Sequence, residues 1–508
     1  MGGFLMSIQS EPRPLDDAAL DARTATDEVY LGQLGYQQQL KRAIGAFSSF
    51  GVQFTMIAVA GGINLVFGIG LNTVGPLMLL AWIVAASLQI VVALAIADVC
   101  SAYPLAGGSY QIISRLARPW LGWQVGYWLF AAHIFAVSGE AVGLAVFVAA
   151  WFGLGLAGTW PIFFGALALI AVCTVVDVIG IKYGAYINNV FGVFCEFGAI
   201  AIAILGVLIA WIVNPHAFHS VGYVFTTAGV IQPGQSVLVP FLFAMLVPAF
   251  VISGFDASGT AGEETKSAAR SVPRGMVYAN LGALVFGTVM IFLALLAMPD
   301  LHATATAPEP LRYALQNVLG FVPAQVFSVL AVLSLVINMM ILLLTAARVL
   351  WAQARDGQLP LARYVGMLDS DRVPIVAVLV SAVISVLLML WTTLLTILVT
   401  MVAVVWAAGY TVLLAVIIAR KRRAPLPAHP YSNGRWGTLI DWVAFLWSLV
   451  LVAILVWSNV SVIGGGFLAM VAIGLVIYFV AIPSQRRGRL PRTAARVDIA
   501  GEATAPEA

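Results

Sequence analysis

Long apolar runs that carry almost no charge are the feature that most constrains this chain. A helix needs about 20 apolar residues to cross the hydrocarbon of a bilayer. The sequence contains twelve such runs, at about residues 46–71, 77–99, 121–150, 160–180, 187–213, 238–259, 275–298, 322–347, 374–391, 393–419, 438–459 and 461–482. Only 9% of the 508 residues are charged, against about 25% in a soluble domain. The sequence therefore predicts an all-α polytopic membrane protein with twelve transmembrane helices.

The placement of basic residues supports this count and orients the chain. The ninth and tenth runs are nearly continuous, broken only near Trp391 to Thr393, and one long helix there would leave eleven spans. With twelve spans and a cytoplasmic N-terminus, 24 of the 25 lysines and arginines lie in cytoplasmic segments, and only Arg312 lies outside. Because cytoplasmic loops are rich in Lys and Arg, we predict a plasma-membrane protein with both termini in the cytoplasm.

Several classes of function lack support in the sequence. The net charge of +3 gives no nucleic-acid signal, and no Gly-x-x-x-x-Gly-Lys-Ser/Thr run is present. The three cysteines and five histidines are not spaced as metal ligands. A membrane-embedded enzyme would need a nucleophile and base, or a metal cluster, within the spans. We therefore predict a non-enzyme with no resident cofactor or metal, whose partners are the bilayer and a small molecule; the oligomeric state stays open.

Glycine-containing clusters interrupt the first and sixth spans. They comprise Val59, Ala60, Gly61, Gly62 and Ile63 in the first, and Ser253, Gly254, Phe255, Asp256 and Ala257 in the sixth. Close helix packing is one explanation for such glycines. Paired interruptions at matching places are also typical of transporters built from inverted repeats. We predict tails at 1–42 and 485–508, five-helix repeats at 43–213 and 238–420, and two peripheral helices at 438–482.

The chemistry of an interrupted helix predicts what it binds. A half-helix N-terminus offers N–H groups and a positive dipole end to a carboxylate. Carbonyls freed at the preceding half-helix C-terminus can accept an ammonium group. An amino acid, or another compound carrying both groups, matches such a site. In lipid, unwound backbone is tolerated only where it faces protein or a watered cavity.

Three of the acids inside the spans stand out, Glu140, Glu196 and Asp256, and no lysine or arginine lies inside a span. A buried carboxyl must be paired, protonated or hydrated. Asp256 fits a binding-site residue or an internal helix cap. Glu140 follows His133 by two helical turns, so both share one face of the third span. They would bind a substrate amine, carry a coupled proton, or form structural hydrogen bonds. For Glu196 the structural role is favoured.

The chain contains four motifs in its tail and loops. Asp98–Tyr110 reads DVCSAYPLAGGSY, Glu263–Lys266 reads EETK, Ala354–Pro360 reads ARDGQLP, and Leu34–Arg42 reads LGYQQQLKR. Together they resemble the amino acid–polyamine–organocation (APC) permease superfamily over about residues 31–482. The motif at Leu34–Arg42 resembles the corresponding segment in the branch of choline and γ-aminobutyrate permeases. Thr260 stands where that branch often carries a histidine.

The resemblance implies a secondary transporter that works by alternating access, importing an amino acid or related amine such as γ-aminobutyrate. The alternatives are a choline or polyamine carrier, or an exchanger. It also implies that residues 60–63 bind the substrate carboxylate and that residues 253–257 bind the amine, with Phe255 as a lid. Some proton-coupled relatives have a lysine in the fifth span, and this chain has none there. The coupling ion, H⁺ or Na⁺, therefore stays open.

The predicted topology is testable with a reporter fused after Ser484. Because an even number of spans returns the chain to its starting side, we expect the reporter to be active in the cytoplasm and shielded from external labelling. A second fusion in the loop that carries Arg312 should be labelled from outside. External labelling of the fusion after Ser484 would contradict the twelve-span arrangement.

Overall fold

The computed structural model describes residues 45–104, 108–154, 158–180, 191–255, 257–369, 373–391 and 394–482. Regular structure in these ranges is helical. The predicted tails at 1–42 and 485–508 lie outside the described residues, and so do Asp256 and the first residues of the fifth span.

The described ranges contain twenty α-helices, numbered here in chain order. The first ten are α1 Ala46–Ile57, α2 Val59–Val74, α3 Met78–Ala102, α4 Gly108–Leu116, α5 Pro119–Trp151, α6 Thr159–Gly180, α7 Val193–Ala201, α8 Val207–Val213, α9 Leu238–Ala244 and α10 Leu246–Val251. The others are α11 Ala257–Thr260, α12 Ala268–Ala297, α13 Leu301–Thr306, α14 Pro310–Leu319, α15 Phe321–Arg355, α16 Ala362–Val365, α17 Ile375–Trp391, α18 Leu395–Arg423, α19 Gly437–Ser458 and α20 Gly465–Val476.

These helices reproduce the predicted apolar runs. Within the described ranges, nine helical stretches are long and apolar enough to cross a membrane, and the first of them, Ala46–Ala102, holds two predicted spans. Two shorter apolar helical stretches, Leu238–Val251 and Ile375–Trp391, match the sixth and ninth runs. The all-α, multi-pass class is thereby confirmed. The division into inverted repeats stays a prediction.

Burial separates central helices from peripheral ones. In α5 and α18, 78% of the most apolar stretch is buried inside the bundle, whereas the figure is 22% for the last span, Val460–Val480. The central helices pack on each other, α5 against both α15 and α18. Peripheral helices turn large apolar side chains outward, among them Ile179, Ile212 and Val480. Such outward apolar surface is what lipid contact requires.

Residues of the sequence motifs meet at one end of the bundle, here called the arginine-rich end because Arg115, Arg348 and Arg420 lie there. Arg348 donates two hydrogen bonds to Glu264, at 2.7 and 3.0 Å. Asp356 accepts hydrogen bonds from the Tyr110 hydroxyl and the Gln111 amide, at 2.8 and 2.9 Å. Three motifs distant in sequence therefore hold α4, α15 and the segment after the sixth-span break together.

A second tie at this end joins three other helices. Lys421 of α18 donates to Asp98 of α3 at 2.7 Å and to Asp441 of α19 at 2.8 Å. His429 Nε2 lies 2.8 Å from the other oxygen of Asp98. Asp98 therefore belongs to an ion-pair network that fixes the last helices to the central bundle.

Candidate functional site

The first span breaks at Ala58, between α1 and α2. Ala58 has φ 45° and ψ 60°, a left-handed conformation that L-residues other than glycine rarely adopt. The break lies just before the predicted glycines, which occupy the first turn of α2. The predicted interruption is therefore present, and Ala60 to Ile63 form the N-terminal turn of the second half-helix.

The N-terminal turn of α2 already holds a carboxylate from the protein. The Ala60 N–H donates to Glu196 Oε1 of α7 at 2.6 Å. The other oxygen, Oε2, accepts a 2.6 Å hydrogen bond from the Ser334 hydroxyl of α15. Glu196 is buried, and the positive end of the half-helix stabilises its charge. Glu196 therefore makes hydrogen bonds of the kind that a structural role requires, one of them at the N–H predicted to bind substrate, and its role stays a prediction.

The two glycines of α2 are sites of close packing. A Cβ added at Gly61 would lie 2.5 Å from Leu335 Cγ and 2.9 Å from the Ala331 carbonyl oxygen, both in α15. At Gly62 it would lie 3.3 Å from Val251, which ends the helix before the sixth-span break. The glycines bring α2 against α15 and bring the two breaks together. Ile63 is buried beside them.

The sixth span is unwound between α10 and α11. Gly254 has φ +66°, and a Cβ there would lie 2.9 Å from Met56 Cε, so this position requires glycine. Ser253 turns its hydroxyl back onto the Phe250 carbonyl at 2.7 Å. The Ala257 N–H donates to the Gly254 carbonyl at 3.0 Å. Both predicted interruptions are therefore present in the structure.

Two buried glutamines satisfy the unwound backbone. The Gln53 side chain of α1 donates to the Gly254 carbonyl at 3.1 Å, and its oxygen lies 3.3 Å from the backbone nitrogen and hydroxyl of Ser258. The Gln89 side chain of α3 donates to the Ile252 carbonyl at 2.9 Å. A carbonyl oxygen has two lone pairs, so each can accept a second donor. Sequence reasoning missed both glutamines.

Phe255 is fully buried, with its ring 5.2 Å from that of Tyr410 in α18. The other described residues of the predicted site, 60–63, 253, 254 and 257, are buried as well. In this structure the described residues of the predicted site are therefore enclosed by the helix bundle. The predicted lid position of Phe255 agrees with this geometry, and its role stays a prediction.

Glu140 and His133 share α5 and contact different helices. Glu140 Oε1 accepts a 2.9 Å hydrogen bond from the Asn338 amide of α15. Its second oxygen, Oε2, is buried with no hydrogen-bond partner in the part of the chain that the structure describes. His133 Nδ1 lies 2.6 Å from the Leu129 carbonyl oxygen, and its ring meets Trp406 edge to face at 5.4 Å. Trp406 in turn lies beside Gly254.

One face of α15 contacts both Glu140 and Glu196. Ser334 binds Glu196 and Asn338 binds Glu140. These α15 residues are four apart, one helical turn and about 6 Å along the axis. Acids from the third and fifth spans therefore lie near each other. Glu196 also accepts the hydrogen bond from Ala60 at the first-span break. Both acids can be found from the sequence, but only the packing against α15 shows that they lie near each other.

Helices α13 and α14 lie at the opposite end of the bundle, and the buried acid Glu309 lies between them in the sequence. Glu309 accepts hydrogen bonds from the Ser328 hydroxyl and from the Trp151 indole, the latter at 2.9 Å. Arg312 lies 3.9 Å from Glu309. Burial raises the pKa of Glu309, while the Ser328 bond and the Arg312 charge oppose the shift. Arg312, the single basic residue predicted outside, thus has a local partner.

Comparison with known proteins identifies the architecture. Residues 44–482 match the model of the amino acid permease family AA_permease_2. The chain belongs to this amino acid permease family. Membership places it in the APC superfamily and makes it a multi-pass membrane transporter of amino acids.

Three relatives show the range of this permease family. The chain is 26% identical to the amino-acid permease BAT1 of Arabidopsis thaliana, over 83% of this chain and 86% of that one. It is 26% identical to the branched-chain amino acid permease BcaP of Bacillus subtilis (strain 168), over 87% and 93%. It is also 26% identical to the thiamine transporter thi9 of Schizosaccharomyces pombe, over 82% and 77%.

Gln53 offers a test of the second break in this permease. Gln53→Met keeps the side-chain volume and removes both hydrogen-bonding groups, leaving the Gly254 carbonyl without its amide donor. Such a loss costs about 1–3 kcal/mol, so we expect a lower melting temperature and reduced substrate uptake. The matched control is Gln232→Met in an exposed loop, which should change neither. Wild-type uptake by Gln53→Met would contradict the role of this side chain.

Proposed function

We propose that this permease imports a neutral amino acid or related amine, γ-aminobutyrate included, together with a proton, across the plasma membrane. The arginine-rich end faces the cytoplasm in this proposal. The observation that carries it is the Glu196 carboxylate bound to the Ala60 N–H at the first-span break. The predicted substrate site and a titratable group thus share one backbone donor.

The coupling follows from competition for that donor. A substrate carboxylate at the N-terminus of α2 would lie beside the Glu196 carboxylate, and two like charges in a dry site repel strongly. Protonation of Glu196 removes the repulsion and weakens its hold on Ala60. Substrate and proton then promote each other's binding, because coupling between two sites is reciprocal. An inward proton gradient therefore drives substrate inward.

Glu140 is the second proton-binding group in this proposal. It lies one turn of α15 from Glu196, through Asn338 and Ser334. Cys173 of α6 lies within electrostatic range of Glu140 and of Asp177, and Asp177 is buried and lies within electrostatic range of Arg348. In the described ranges neither Asp177 oxygen has a hydrogen-bond partner. This series of carboxyls gives a route between the site and the predicted cytoplasmic face.

The surroundings of the breaks favour an apolar side chain on the substrate. Ile63, Met56, Val251 and Phe255 are buried around them. The carbonyls of Ile252 and Gly254 retain acceptor capacity for an amine. Two of the relatives are named as amino-acid permeases, one of them for branched-chain amino acids. The thiamine transporter among the relatives supports an organic cation as the second candidate.

Uptake into proteoliposomes tests the proposal directly. We expect accumulation of a radiolabelled branched-chain amino acid when the interior is more alkaline than the exterior, and no accumulation under a sodium gradient alone. Unlabelled neutral amino acids and γ-aminobutyrate serve as competitors. Inhibition by choline, putrescine or thiamine, with no effect of neutral amino acids, would replace the proposal with a cation carrier. Accumulation driven by sodium alone would contradict proton coupling.

Glutamine substitutions distinguish the proposed role of Glu196 from that of Glu140. Glu196→Gln mimics the neutral acid, so substrate binding should lose its pH dependence and uptake should no longer concentrate substrate, while exchange of internal for external substrate continues. Glu140→Gln should slow proton-driven uptake at least tenfold and leave substrate affinity near the wild-type value. Asp300→Asn, at an exposed helix cap, is the control. A wild-type pH profile in Glu196→Gln would contradict the competition.

A further inference from the structure

The arginine-rich end holds a cavity of about 400 Å³ that the transport proposal does not use. It lies between the end of α4, the start of α5 and the end of α18, and four of its nine lining residues are arginines: Arg115, Arg118, Arg420 and Arg423. None of the nine is acidic. The remaining lining includes Tyr103 and the apolar side chains of Leu116 and Val416.

The four basic side chains of residues 420–423 lie on two different faces of α18. Lys421 is bound to Asp98 and Asp441, and the Arg422 guanidinium lies 5.1 Å from the centroid of the Trp442 ring. Arg420 and Arg423 are three residues apart, so they share the opposite face of α18, which lines the cavity. Arg420 and Arg423 therefore place positive charge in the cavity, in addition to the part that the basic run plays in membrane topology.

Charges around the cavity leave it electropositive. Asp356 lies within electrostatic range of Arg115, and it is already bound to Tyr110 and Gln111 and lies close to Arg355 as well. Arg420 donates one hydrogen bond, to the Ala424 carbonyl at 2.7 Å. Burial raises the pKa of Tyr103, against the opposing charges of Arg420 and Arg115. The Tyr103 hydroxyl thus stays protonated and can donate.

We propose that this cavity binds a phosphate-bearing anion, and that the phosphate belongs to the head group of an acidic phospholipid. Guanidinium groups pair with phosphate through parallel hydrogen bonds, and basic pockets between helices at the cytoplasmic face suit lipid head groups. Val416 and Ala419 precede Arg420 and Arg423 in α18 and give the cavity an apolar wall beside its arginines. This inference does not depend on the transport proposal.

A bound phosphate would join parts of the bundle that are distant in sequence. Arg115 and Arg118 flank the turn from α4 to α5, whereas Arg420 and Arg423 end α18. Four like charges around one cavity repel each other, so an anion between them stabilises their approach. The lipid would therefore stabilise the packing of α4 on α18 in the closed structure.

Binding to the purified full-length protein tests this site. We would titrate dioctanoyl phosphatidylglycerol, dioctanoyl phosphatidylcholine and inorganic phosphate, with microscale thermophoresis as the readout. The variant Arg118→Gln/Arg423→Gln removes two exposed arginines of the cavity. At about fivefold per charge, we expect phosphatidylglycerol to bind it about twenty- to thirtyfold more weakly than wild type. Phosphatidylcholine should bind both proteins weakly.

The matched control is Arg422→Gln/Arg435→Gln, which removes two arginines that stack on Trp442 and Trp436 at the same end. It should keep wild-type affinity for phosphatidylglycerol. Inorganic phosphate that displaces the lipid at similar concentration would show that the phosphate group alone is recognised. Equal losses in the two double variants, or equal affinity for the two lipids, would overturn the site. Should the cavity variant unfold, Arg423→Gln alone gives the same comparison with Arg422→Gln.

Discussion

The need to satisfy backbone polar groups without water governs this structure. Both broken helices free N–H and C=O groups in the middle of an apolar bundle, where an unmet hydrogen bond is costly. Gln53, Gln89 and Glu196 meet that need from three neighbouring spans. The helix breaks, the buried polar residues and the close packing of Gly61 therefore depend on one another.

Helix α15 contacts most of the residues on which the proposed function depends. Ser334 holds Glu196 and Asn338 holds Glu140 within the membrane, and Arg348 holds Glu264 at the arginine-rich end. The first-span break is linked to α15 through Glu196, and the segment after the sixth-span break is linked to it through Glu264. In the proposed function, protonation of Glu196 would change the bond that joins the first-span break to α15.

Sequence reasoning predicted the features that depend on local composition. The apolar runs, the two interruptions and the acids within spans could all be found from residue type and spacing, and the described helices agree with them. The position of the first break was less accurate, because Ala58 rather than a glycine adopts the left-handed conformation. Gln53, Gln89 and Asn338 gave only a weak signal, since a single polar residue in an apolar helix does not reveal its partner.

By itself, the sequence determined the class of protein. Twelve apolar runs and 9% charged residues leave only a helical bundle in lipid, and the motif order indicates the family that the comparison confirms. Only the tertiary structure decided which groups meet: Glu196 with Ala60, Glu140 with Asn338, and four arginines around one cavity. Hydropathy is a property of each segment alone, whereas these pairings join residues 136 and 198 positions apart.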